Sequence, residues 1–221
     1  MIDPRCSAPA PTFRFIPSRF PPIPLFDTVA TAADVYAVMD LEGWTNDRIV
    51  SERLARLPKT EWVYGVSNAS IVMAAFLHSP ILGARFNGPD LGAWYGAASE
   101  RTSVAEVAHH LRLEAMARGH AETRRTFRSY TATLLGDDYA DLRGCHHSRP
   151  ELYSSGSYSE SMKFGEQIRA AGQSGIVYDS VRHIGGTNIV VHRPRNVTVV
   201  TQASHYDILA PVVGKVVVRQ L

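Results

Sequence analysis

Seven of the thirteen prolines, at positions 4, 9, 11, 17, 21, 22 and 24, crowd the first 24 of 221 residues. Proline fixes φ and lacks an N–H, so such a stretch is expected to be neither a regular helix nor a central strand. It also carries Phe13, Phe15, Phe20 and Phe26, and an exposed row of phenylalanines marks an interaction site or an aggregation hazard. Residues 1–26 are therefore expected to form an extended arm. It would pack on the body of its own chain or cross to a second copy or another partner.

After the arm, residues 28–80 read as helical. Thr31 with Asp34 has the form of a helix start. Asn46 can cap a second helix through Ile49, Arg53, Leu54 and Leu57, and Ser67 a third through Ile71–Leu77 that Ser79-Pro80 closes. Glycines at 83, 88 and 92 then mark tight loops around Arg85-Phe86-Asn87. A short strand is predicted over Trp94–Ala97 and a helix over Ser103–Arg118, stopped by Gly119. Residues 124–135 alternate as a strand, and 136–157 read as loop. A helix over 159–171 precedes β-rich runs at 175–178, 188–192, 196–200 and 212–219. Helices lead and strands follow. That order predicts a single α+β domain with a mixed or antiparallel sheet flanked by helices, not a regular βαβ alternation.

Composition narrows the function. A formal charge of +2 gives no broad electrostatic grip on nucleic acid. The longest apolar run, Ile71–Leu77, falls far short of the ~18–20 residues of a membrane span. The proline-broken N-terminus lacks the apolar core of a signal peptide, and two cysteines, Cys6 and Cys145, make no disulfide framework. A cytoplasmic protein is expected. The common nucleotide-loop, nucleophile-elbow and zinc-protease motifs do not occur. His109-His110 and His146-His147 are adjacent pairs whose side chains diverge, so no metal is expected. Ser148 beside His147 has no mark of an activated nucleophile.

Four polar residues stand where patterning does not require polarity: Arg85 in the glycine-rich turn, Tyr95 in the strand after it, Glu106 in the following helix, and Ser180 closing Gly175-Ile-Val-Tyr-Asp-Ser-Val-Arg182. Each has an ordinary structural explanation. Arg85 could make a loop salt bridge and Tyr95 could be core. Ser103 with Glu106 three residues on has the form of a capping box. Ser180 could end a strand.

The order of these segments resembles the RES family, named for its Arg, Glu and Ser. The resemblance is carried by Gly83-Ala-Arg85-Phe-Asn87, Tyr95-Gly-Ala97, Thr102-Ser-Val-Ala-Glu106, Gly175-Ile-Val-Tyr178-Asp-Ser180-Val-Arg182, and Gly185-Gly-Thr-Asn188-Ile-Val-Val. It covers residues 83–200, and Phe13-Arg14-Phe15 is similar to the family's opening strand. Ala84, Phe86 and Ser103 replace the family's glycine, tryptophan and alanine.

The resemblance implies a fold like that of the ADP-ribosyltransferases and an enzyme that consumes NAD⁺. Many RES proteins are toxins paired with an Xre antitoxin. They split the nicotinamide–ribose bond by phosphorolysis or hydrolysis, and some resemble transferases that modify a protein. The acceptor would be phosphate, water or a protein side chain. The partner would be an Xre-like antitoxin, and a homodimer is one arrangement the arm allows. The residue types suit this chemistry. Cleavage builds positive charge on the ribose, which a fixed carboxylate stabilises, and Glu106 fits that role. Pyrophosphate calls for a guanidinium fork, and Arg85 fits, with Arg14 as a second. Tyr95 offers an aromatic wall. Ser180 can bond a ribose hydroxyl or the carboxamide, and Asn87 can orient Arg85 or the substrate. A non-catalytic binding module is the competing reading, and it gives no chemical reason for all four residues together.

Overall fold

The computed structural model describes residues 4–20, 24–43 and 51–221. Its strands are β1 (Arg5–Cys6), β2 (Thr12–Pro17), β3 (Trp94–Ala97), β4 (Glu122–Leu134), β5 (Tyr139–Asp141), β6 (Gly175–Asp179), β7 (Thr187–Val191), β8 (Val197–Pro211) and β9 (Val217–Gln220). Its α-helices are α1 (Ala32–Gly43), α2 (Ser51–Ala55), α3 (Ala69–Leu77), α4 (Glu100–Ala117), α5 (Pro150–Tyr153) and α6 (Ser159–Ala170). All nine strands share one sheet, ordered β1-β5-β6-β7-β3-β2-β4-β8-β9. Every pairing is antiparallel except β5 with β6, so the expected α+β class with a mixed sheet is found.

The N-terminal arm is the main correction. β2 lies between β3 and β4, near the middle of the sheet, and pairs with β4 at six positions from Thr12↔Ala132 to Pro17↔Phe127. The proline rule holds locally, because Phe13–Ile16 is free of proline and Pro17 falls at the strand's end. Density of proline across 24 residues said nothing about the short gap between Pro11 and Pro17. Upstream, β1 adds to the edge of β5 through Arg5↔Ala140 and Cys6↔Tyr139. Phe15 and Phe26 are buried and Phe20 is exposed.

Helix starts are partly as read. Thr31 and Asp34 bond reciprocally, Asp34 N–H to Thr31 Oγ1 at 3.2 Å and Thr31 N–H to Asp34 Oδ2 at 3.1 Å. Asn46 and Ile49 lie outside the described residues. For α3 the cap is Asn68, in the left-handed region at φ 62°, one residue beyond Ser67. α4 starts three residues before the predicted Ser103, and its cap is Ser99, whose hydroxyl accepts from Thr102 N–H. The predicted loop 136–157 contains β5 and α5, and β8 runs on to Pro211 instead of ending at Val200.

Three apolar clusters hold the sheet. One joins α3 and the segment around Trp62 to Trp94, Tyr130, Tyr139, Val177 and Val191. A second packs Phe164 and Ile168 of α6 and Leu152 of α5 on Ile176, Tyr178 and Val190. A third packs Ala108 and Leu111 of α4 on Phe15, Phe127, Ile208 and Ala210. No helix among the described residues is long and apolar enough to cross a membrane.

Candidate active site

The sheet is loosely joined between β2 and β3. β2 and β3 share a single paired position, Phe13↔Ala97. Buried backbone groups left without a strand partner need another one, and side chains supply it. Arg14 Nη1 donates to the Tyr95 carbonyl at 2.9 Å, and Ser103 Oγ of α4 donates to the Phe13 carbonyl at 2.9 Å. A cavity of about 570 Å³ opens there, lined by β2, β3, α4 and the loop that precedes β3. That volume is typical of a small-molecule site.

Five of the six sequence-derived catalytic and binding residues line the cavity: Arg14, Arg85, Asn87 and Tyr95, and Glu106 from α4. Ser180 does not line it. Because Ser99 caps α4, Glu106 stands in the second turn of the helix, not the first, and takes no part in capping. Its Oε1 accepts two short hydrogen bonds, from Ser180 Oγ and from Asn188 Nδ2, each at 2.6 Å. Among the described residues its other oxygen makes no hydrogen bond. Ser180 is itself fixed, accepting from Arg182 N–H at 3.1 Å and His183 N–H at 3.0 Å. Ser180 thus acts on Glu106 and not directly on the cavity.

Arg85 is 7% exposed, yet among the described residues no carboxylate pairs with it. Nη1 donates to the carbonyls of Leu152 and Ser154, both at 3.0 Å, and the guanidinium lies over the Tyr158 ring, 4.7 Å from its centre. Arg14 likewise has no acid partner among the described residues. It lies over the Trp94 ring at 4.8 Å, its Nε has no hydrogen-bond partner, and burial lowers its pKa to about 10. Asn87, buried, holds Tyr95 and not Arg85. Its Oδ1 accepts from the Tyr95 hydroxyl at 2.9 Å while Nδ2 donates to Ser79 Oγ, Gly88 O and Leu91 O. The Tyr95 hydroxyl accepts from Phe86 N–H at 2.9 Å, and burial raises its pKa well above the usual phenol value.

Among the other residues that line the cavity, Asn188 and Arg182 carry polar groups that were not singled out as site residues from the sequence. Asn188 shares Ser180's hold on Glu106. Arg182 presents a half-buried guanidinium with no ion pair among the described residues, and it helps burial keep His109 neutral, with a pKa of about 4. Both stood inside the quoted segments as Ser180-Val-Arg182 and Gly185-Gly-Thr-Asn188, where the strand pattern gave no separate signal for their polarity. The cavity wall therefore holds Arg14, Arg85 and Arg182 against a single acid, Glu106. Such a wall favours an anionic ligand. The second histidine pair lies elsewhere. His146 stacks on Tyr153 at 3.8 Å, and Ser148 bonds the Cys145 carbonyl.

Comparison with known proteins bears on the family and the fold. A RES domain profile matches residues 53–210, wider than the quoted motifs. A search of curated proteins finds no match. Among solved structures, one similar chain belongs to the M. tuberculosis MbcT–MbcA toxin–antitoxin complex. Its TM-score is 0.51 and its identity 13%, over 92% of this chain and 86% of that one.

Proposed function

The chain belongs to the RES domain family, and on that premise we propose that it is an enzyme that breaks the nicotinamide–ribose bond of NAD⁺. The observation that carries the proposal is Glu106, a carboxylate held at one oxygen by Ser180 and Asn188 beside a cavity whose wall also carries Arg14, Arg85 and Arg182, none of them in an ion pair among the described residues. As the C1′–N bond breaks, its electron pair leaves with neutral nicotinamide and positive charge develops at C1′. A carboxylate fixed beforehand stabilises that charge without reorganising during the reaction. Arg85 and Arg14 have guanidinium nitrogens to spare for the pyrophosphate. Tyr95, its hydroxyl tied to Asn87 and Phe86, offers a fixed ring to the nicotinamide end.

The bond that forms at C1′ is to an oxygen of phosphate, or to water, which gives up a proton. Transfer to a protein side chain is the alternative. In the cell we propose that the enzyme is a toxin restrained by an Xre-like antitoxin. The solved neighbour of similar fold belongs to a toxin–antitoxin complex. Incubating the purified chain with NAD⁺, with and without inorganic phosphate, tests the reaction. Phosphate-dependent loss of NAD⁺ marks a phosphorylase, phosphate-independent loss a glycohydrolase, and label on protein a transferase. Intact NAD⁺ in every arm overturns the proposal.

A further inference from the structure

The loop that carries Arg85 and Asn87 is gripped by one face of α6. Met162, Gly165, Glu166 and Arg169 stand at i, i+3, i+4 and i+7, which places them on a single helical stripe. Glu166 Oε1 accepts from Gly88 N–H at 2.8 Å. Arg169 Nη2 donates to Gly92 O at 2.8 Å and to Leu91 O at 3.4 Å, and its Nε lies 3.3 Å from Glu166 Oε2. Gly165 lets the backbones meet, since a Cβ there would stand 2.0 Å from the Phe86 carbonyl oxygen. A Cβ on Gly83 would meet Met162 Sδ at 2.8 Å. The same helix begins beside Tyr158, whose ring covers Arg85, and the turn before it supplies the two carbonyls that Arg85 bonds. Both ends of the Arg85 side chain are thus set by the α5–α6 segment. None of these α6 side chains is among the residues on the cavity wall.

We infer that Glu166 and Arg169 are positioning residues for the anion-binding arm of the site. They fix the 83–92 loop, and through it Arg85, without touching the ligand. The inference rests on the NAD⁺ reading for its kinetic consequence but not for its structural one. A hydrogen bond to a charged group is stronger than one between neutral groups, so Glu166→Ala is expected to raise KM for NAD⁺ about tenfold, with kcat within about twofold. Glu166→Gln keeps an oxygen for Gly88 N–H and is expected to recover most of the loss. Gly165→Ala, which wedges the loop off the helix, is expected to raise KM in the same way.

The ligand-free readout is amide hydrogen exchange. In Glu166→Ala the Gly88 amide should exchange faster while the amides of β7 and α4 stay as protected as in the parent. Faster exchange at Gly88 with unchanged KM would overturn the positioning role and leave the NAD⁺ reading standing. Unchanged exchange at Gly88 would overturn the clamp itself. A parent protein that leaves NAD⁺ intact would fail the functional reading alone, and exchange would still decide the clamp.

Discussion

Glu106 shows how a spacing can suggest a local role that the fold does not use. In the sequence its spacing from Ser103 fits a capping box, yet Ser99 caps the helix and Ser103 instead serves the Phe13 carbonyl. What holds Glu106 is across the chain, and only the fold brings Ser180 and Asn188 to it. Ser180→Ala and Asn188→Ala should each lower kcat for NAD⁺ cleavage about tenfold with little change in KM, since each removes one charge-assisted bond from the carboxylate. Loss confined to KM would return Ser180 to the substrate-binding role. Arg85→Lys should behave oppositely. Lysine keeps the charge but lacks the fork that can bond two carbonyls and an anion at once, so the variant should bind NAD⁺ about tenfold or more weakly, measured by calorimetry. Equal affinity would remove Arg85 from the anion site.

Elements that depend on local rules were legible, and those that depend on partners were not. β3, the stop of α4 at Gly119 and the Thr31–Asp34 helix start follow from strand propensity, a positive φ and side-chain capping within a few residues. The place of β2 does not follow, because a strand is central only by virtue of its neighbours, and β4 and β3 are remote in sequence. β5 was hidden in a three-residue run whose stability comes from pairing with β1 and β6. The long register of β8 likewise comes from β4, along which it pairs from Leu134↔Val197 to Glu122↔Pro211. The central position of β2 carries a clear consequence. A chain starting at Asp27 loses the strand that joins β3 to β4 and supplies Phe15 to the core, so it should be recovered insoluble or without cooperative unfolding. A soluble chain of that length with a sharp thermal transition would show that β2 is dispensable.

At the scale of the whole molecule, two histidines, His192 and His109, are held neutral by their surroundings. His192 is buried with neither ring nitrogen hydrogen-bonded, and burial together with Arg169 holds its pKa well below the ordinary value. His109 is lowered to about 4 by burial, Arg182 and His110, against a smaller opposing pull from Glu106. In both cases the unfolded chain binds a proton, near the ordinary pKa of about 6.5, that the folded chain refuses. Stability should therefore be full above about pH 6.5 and fall as the pH drops from there toward 4. The melting temperature followed over that range should decline, and His109→Gln should make the decline shallower. A slope unchanged by that substitution would show that His109 does not titrate between the two states.

The account turns on Glu106 as the group that stabilises the developing ribose cation, and nicotinamide release by purified parent and Glu106→Gln tests it most directly. Glutamine can keep the contacts with Ser180 and Asn188 and disturbs no cap, so the two proteins should melt alike. Removing one preorganised electrostatic group from a transition state costs about 10²–10³ in rate, so the variant should release nicotinamide at least a hundredfold more slowly. A folded Glu106→Gln protein that releases nicotinamide at the parent's rate would contradict the assignment.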